Sequence, residues 1–355
     1  IRERSPGLLN VYTLESSVAR YLYRTTRDES YHVHSREVID EALAMAPDDY
    51  RSLLAAVDLA LAINDLEAAE KHLERIEEIA PSNPFGLGHR ARLKELQGDI
   101  EESLRIHQML IEFRPTWSNL RRLARTEVRQ GRIESARLHL DQAISLAPDN
   151  VFLQASLAEL EMLHGSLERA EELYLNIVAN SPQPQYLAVL GTAQLLLGRY
   201  QEARETFHRV LQQGSQSPAV MLNLADCYSL AGDSREAAQW YERALAEIDA
   251  SGALGPEDLG RKAQCLAHLG SRDEAISALD SALALAPNNT QLVYDAALVY
   301  ATLGELESAE KYAAKALAAG IDHRWFEPPW FDTLRTSQVF SEASAKKGTK
   351  PRSGS

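Results

Sequence analysis

The feature that most limits what this chain can fold into is a unit that repeats itself about every 34 residues. Asn64, Gly98, Gly131, Gly165, Gly198, Gly232, Gly270 and Gly304 recur at spacings of 34, 33, 34, 33, 34, 38 and 34. Each follows one apolar run of helical period and precedes another. In VFLQASLAELEMLHGSLERAEELYLNIVANSP, residues 151–182, the first run is Leu153, Leu157, Ala158, Leu160 and Met162, and the second carries Ala170, Tyr174 and Ile177. Two helices joined by a tight turn are predicted for every copy. Such an array escapes the length rule that would divide 355 residues into several globular domains, because each unit needs only its neighbours to bury its apolar face.

Two further registers repeat with the turn. Five residues beyond it come Ala69, Ala136, Ala170, Ala203, Ala237, Ala275 and Ala309, with Ser103 as the exception, and a small residue there lets paired helices approach closely. Four residues later a bulky partner follows in most copies: Leu73, Leu140, Tyr174, Phe207, Tyr241 and Leu279, with His107 and Ala313 as weaker versions. Pro47, Pro81, Pro115, Pro148, Pro182 and Pro287 then stop the second helix.

A 34-residue period with Ala-x3-aromatic in the second helix and proline at the exit resembles the tetratricopeptide repeat (TPR) family. The resemblance covers about residues 14–323 as nine units, the first of them (14–49) degenerate. It implies an all-α, right-handed superhelical solenoid of antiparallel helix pairs. Residues 1–13 are expected to be a linker, 324–343 an aromatic capping segment and 344–355 a disordered tail. TTRDES, residues 25–30, stands where a turn glycine would be, and EIDASGALGPEDLG, residues 247–260, adds four residues to the period. A longer loop is expected at both places. The tail holds the densest aromatic cluster, Trp325, Phe326, Trp330 and Phe331, which could cap the last pair or stand out as a docking motif on Pro328-Pro329.

Composition removes several function classes. The net charge of −14 and a pI near 5.3 oppose nucleic-acid binding by this region. No run is apolar enough for a membrane span, since the uncharged residues 173–198 are broken by Asn176, Asn180, Pro182 and Pro184. Cys227 and Cys265 occupy equivalent points of consecutive first helices and read as buried thiols. The chain opens at Ile1 without an initiator Met or signal-like stretch, so a fragment or processed form is expected, cytoplasmic rather than periplasmic.

No residue set completes a catalytic, metal or cofactor site. Gly86-Leu-Gly88-His-Arg-Ala91 fits a dinucleotide fingerprint formally but has no preceding strand. Cys265 and His268 lack an orienting third group, and His32 and His34 lack metal-ligand company. A non-enzymatic interaction scaffold is therefore expected, with a partner protein or peptide as ligand.

One charge cluster departs from the acidic background. Arg121, Arg125 and Arg129 fall at i, i+4 and i+8 of one first helix, with Arg122 beside them and Arg92 on the preceding first helix. The TPR resemblance places these on the concave, ligand-holding wall. Internal pairing with Glu95 and Glu159 and an anionic ligand both offset the mutual repulsion, and the residues leave the choice open. Asn223, Asp226 and Tyr294 are further peptide-binding candidates, whereas the lysines of the family's carboxylate clamp are missing. The closing stretch, with Gly320, Leu334-Arg335 and Phe340, resembles the end of repeat regions in bacterial multidomain regulators of the Ser/Thr kinase or winged-helix type. A sensing or docking region of such a regulator is one expectation, an assembly factor of an envelope or secretion complex the other. Homo-oligomerisation through an uncovered end stays open.

Overall fold

The computed structural model describes residues 9–342 except 27, 82, 253 and 339. The segments expected to be linker before residue 9 and disordered tail after 342 lie outside the described residues. The chain divides into two compact units, residues 1–153 and 154–355.

The first unit contains four helix pairs: α1 (Leu9–Thr26) with α2 (Glu29–Met45), α3 (Tyr50–Ala62) with α4 (Leu66–Ile79), α5 (Pro84–Gln97) with α6 (Ile100–Phe113), and α7 (Trp117–Arg129) with α8 (Ile133–Leu146). In the second, following α9 (Val151–His164), the pairing continues with α10 (Leu167–Asn180), α11 (Pro184–Leu196) with α12 (Tyr200–Gln212), and α13 (Pro218–Leu230) with α14 (Ser234–Ala250). Then come α15 (Pro256–His268) with α16 (Arg272–Leu285) and α17 (Thr290–Thr302) with α18 (Leu306–Ala318). First helices also pack on one another, α1 on α3 and α3 on α5 in the first unit, and α11 on α13, α13 on α15 and α15 on α17 in the second. The result in each unit is a wall of first helices backed by second helices.

Local chemistry sets the boundaries. Asn64 turns the chain at φ 60° and Gly98 at φ 83°, the left-handed region that asparagine and glycine tolerate best. Asp49 accepts from the Ser52 amide at 2.9 Å and Asp65 from that of Ala68 at 3.0 Å, which satisfies amides the helix start leaves open. The second helices end at Met45, Ile79, Phe113, Leu146, Asn180 and Leu285, just ahead of the exit prolines.

The small register is fully buried at Ala69, Ser103, Ala136, Ala170, Ala203, Ala275 and Ala309. Opposite Ala203's helix the approach is closer still. A Cβ on Gly191 would come within 2.7 Å of the Phe207 ring, so α11 lays bare backbone against it. Cys227 and Cys265 are free and buried, and burial pushes the Cys265 thiol up to about 12.

Two expectations about loops are corrected. TTRDES does not form a longer connection: α1 runs to Thr26 and α2 starts at Glu29, with the Asp28 side chain accepting from the Ser30 amide at 2.9 Å. The four extra residues near 247–260 lengthen a helix, not a loop. α14 has 17 residues where α12 has 13: neither ends at a proline, but Gly214 turns the chain at φ 86° two residues after α12, whereas EIDA continues α14 until Gly252 turns it at φ 84°. α1 likewise begins inside the stretch expected to be linker, at Leu9.

Candidate peptide-binding sites

Residue spacing on α5 and α7 brings five arginines to one hollow. Arg92, Arg121, Arg122, Arg125 and Arg129 line a cavity of about 450 Å3 together with Glu95, His107, His89 and Asp58. The helix period puts Arg121, Arg125 and Arg129 in one row, and Arg92 and Glu95 come from the neighbouring first helix. Gly88 makes room for the second row: a Cβ there would lie 2.5 Å from the Arg122 guanidinium.

Glu95 organises the floor. Its side chain is 2% exposed, Arg129 donates to it at 2.8 Å, the Arg125 guanidinium stands 3.9 Å away and His107 Nε2 3.7 Å away. The Thr126 hydroxyl also donates to it. Burial pushes this carboxyl up, but the His107 and Thr126 contacts and the charges of Arg125 and Arg129 outweigh it and hold the pKa down at about 2. Glu95 therefore stabilises the fold fully above the unfolded carboxyl value of 4.5, and that contribution is lost as pH falls through about 2. A Glu95→Gln variant is expected to be less stable at pH 7 and to lose less stability than the parent between pH 5 and pH 2. Urea denaturation at both pH values measures it, and parallel curves for parent and variant would refute it.

The internal pairing leaves charge over. Five arginines face two carboxylates, and Asp58 is already held by His89 at 3.0 Å and Arg20 at 3.3 Å. Among the described residues no carboxylate lies within ion-pairing distance of Arg92, Arg121 or Arg122. Arg125 registers the crowding: burial lowers its pKa, Glu95 raises it, and Arg129, Arg121 and Arg92 lower it again. An anionic group entering the hollow relieves this repulsion, and guanidinium forks suit carboxylates or phosphates.

The other three candidates sit in the second unit, in a separate cavity of about 350 Å3. Asn223 donates to Thr192 Oγ1 at 3.2 Å, and Asp226 accepts from the Tyr241 hydroxyl at 2.8 Å. Tyr294 donates to the Trp325 carbonyl at 2.9 Å, so this part of the wall holds the chain's own C-terminal segment. That segment forms short 3-10 turns at His323–Phe326 and Pro329–Phe331 and a last turn of helix, α19 (Asp332–Arg335). Phe326, Phe331, Leu334 and Phe340 bury themselves on Val293, Ala297, Ala313 and Leu317 of the last pair. Trp325 packs both on this cluster, edge-on to Tyr294, and on a second one formed by Met162, Leu167, Ala170 and Ala193, and the Arg324 guanidinium donates to the Gly165 carbonyl. Sequence reasoning located this aromatic segment without showing that it reaches back to the first pair of its unit. Residues 159 apart carry no local pattern that would reveal it.

Tetratricopeptide repeat models match residues 127–192 and 194–253, and a second pair of matches covers residues 35–84 and 261–323. Together they take in most of the chain. It belongs to the tetratricopeptide repeat family.

TPR arrays generally serve as protein-interaction scaffolds, typically without catalysis of their own. Among curated TPR relatives, this chain is similar to the BBSome complex member BBS4 of Bos taurus, with 24% identity over 71% of this chain and 55% of that protein. It is similar also to the CTR9 homolog of Arabidopsis thaliana, with 23% identity over 73% of this chain and 24% of that protein. The chain thus spans about half the length of the first relative and a quarter of the second. The C-terminal part of a TPR repeat-containing protein from Cytophaga hutchinsonii shares the fold at a TM-score of 0.50 and 15% identity, over 68% of this chain and 98% of that one. Among the described residues no helix is long and apolar enough to cross a membrane, and no group of His, Cys, Asp and Glu could hold a metal ion.

Proposed function

We propose that this TPR array is a non-enzymatic docking scaffold whose first unit captures an anionic segment of a partner protein in the arginine cavity. The observation that carries the reading is the surplus of guanidinium over carboxylate, with no carboxylate among the described residues within ion-pairing distance of Arg92, Arg121 or Arg122. The setting this reading favours is the sensing or docking region of a larger regulatory protein. It draws support from the loose Gly320, Leu334-Arg335, Phe340 pattern. Those residues also have work within the fold, since Leu334 is buried and Arg335 donates to the carbonyls of Phe326 at 2.9 Å and Pro328 at 3.3 Å. Assembly of an envelope or secretion complex is the competing setting, and the identity of the captured partner separates the two.

The test uses Arg92→Glu with Arg121→Glu, because neither residue pairs with Glu95 and the floor of the cavity stays intact. Affinity capture from host lysate, quantified by mass spectrometry, is expected to show a partner depleted about 100-fold or more by the variant. Raising salt should weaken parental binding. Equal capture by parent and variant of unchanged helicity would sink the arginine-cavity reading.

A further inference from the structure

The cavity of the second unit has the opposite chemistry to the arginine hollow. Asp226 on α13 and Asp295 on α17 line it, both buried, with Glu257 at the rim and Tyr294, Trp325 and Trp330 as aromatic walls. Asp226 uses one oxygen, Oδ1, to accept from Tyr241; among the described residues its Oδ2 accepts from nothing. Among the described residues the one basic side chain near it is His268, whose Nε2 stands 3.8 Å from Oδ1, beyond hydrogen-bond reach. That ring is stacked on Tyr241 at 4.5 Å, and burial pulls its pKa down to about 4, so it is neutral and offers no counter-charge. Asp295 accepts from Gln291 Nε2 at 2.9 Å. The one arginine on the lining, Arg261, is held by Asp258 at 2.8 Å and Glu257 at 3.5 Å. Asp226 is thus left without a cation, and Asp295 has no ion pair and only the partly neutralised charge of Arg261 near it. Burial accordingly raises Asp226 to about 7 and Asp295 to about 6, the mark of anions that lack a partner.

We propose that this cavity binds an alkylammonium group, the end of a lysine side chain or of a small free amine. An ammonium supplies the missing donor to Asp226 Oδ2 and the missing charge to both carboxylates. Its alkyl stem lies against Leu195, Leu222 and Leu298, which share the lining. The indole faces of Trp325 and Trp330 attract a cation through their quadrupoles. A neutral alcohol of the same shape can donate one hydrogen bond but supplies no charge to either carboxylate or to the indole faces, and an anion meets like charge. The inference does not rest on the arginine cavity and stands or falls separately.

The two tryptophans on the lining report on binding directly. In the full chain carrying Trp117→Phe and Trp240→Phe, fluorescence is titrated with n-butylammonium chloride, with n-butanol, with sodium chloride and with the peptide acetyl-Ala-Ala-Lys-Ala-Ala-amide. A saturable change with n-butylammonium, absent with n-butanol and sodium chloride, is expected, and Asp226→Asn should weaken it tenfold or more. Asp295→Asn is read in parallel and carries the test if the first variant loses helicity. Tighter binding of the lysine peptide than of n-butylammonium assigns the site to a protein partner; tighter binding of n-butylammonium assigns it to a free amine. No saturable response to either, or unchanged midpoints in the folded Asn variants, overturns the proposal.

Discussion

Replacing Phe207 by Ala is expected to lower the unfolding free energy by about 3–5 kcal/mol. Phe207 is wholly buried, and it packs against a helix that offers Gly191 at the contact, so no neighbouring side chain stands ready to fill the void. The ring fills the space between α11 and α12 of one pair, in an array where each pair is stabilised by its neighbours. The loss should therefore be concentrated: amide exchange in α11 and α12 should speed up more than in α17 and α18. Urea denaturation gives the total and hydrogen exchange gives the place. A change below about 1 kcal/mol, or a uniform rise in exchange, contradicts this account of the repeat interface.

Ending the chain after Gly320 is expected to have a larger effect with a different distribution. The truncation uncovers Val293, Ala297, Ala313 and Leu317, which now lie under Phe326, Phe331, Leu334 and Phe340. Each lost aromatic or leucine contact is worth about 1.5–3 kcal/mol in burial alone, so α17 and α18 should lose most of their protection. The telling readout is elsewhere. Trp325 also packs on the cluster of Met162, Leu167, Ala170 and Ala193, and Arg324 bonds the Gly165 carbonyl, so exchange should also rise at α10 and α11. A simple end cap would leave those helices untouched. Faster exchange in both places identifies the segment as a brace between the last and first pairs of its unit, whereas a response confined to α17 and α18 removes that role.

Much of the arginine hollow was legible in the sequence, because a helix turns a spacing of four into a row and a repeat turns a spacing near 34 into adjacency. Arg92, Arg121, Arg122, Arg125 and Arg129 were placed together on that basis, with Glu95 and Glu159 as alternative internal partners, of which Glu95 lines the hollow. The balance between partner and surplus was not legible. It depends on Glu95 taking Arg129 and approaching Arg125 while Arg92 and Arg121 remain outside, a matter of a few ångströms that spacing does not encode. Asn223, Asp226 and Tyr294 show the same division. They share one cavity, but Tyr294 is already engaged by the Trp325 carbonyl and Asp226 is buried under Tyr241.

What the sequence by itself determined is the repeat: helix pairs, glycine and asparagine turns, exit prolines, and the small residue that sets how closely each pair packs. These are statements about neighbours along the chain, and hydrophobic period, φ restriction and side-chain volume are enough to settle them. Only the tertiary structure decided that the extra residues after Ala246 lengthen α14, that the arginine surplus survives pairing, and that the aromatic tail returns to Gly165. The physical reason is that such contacts depend on the summed rotation of several stacked pairs. That sum is fixed by packing across every interface between them, and no single repeat records it.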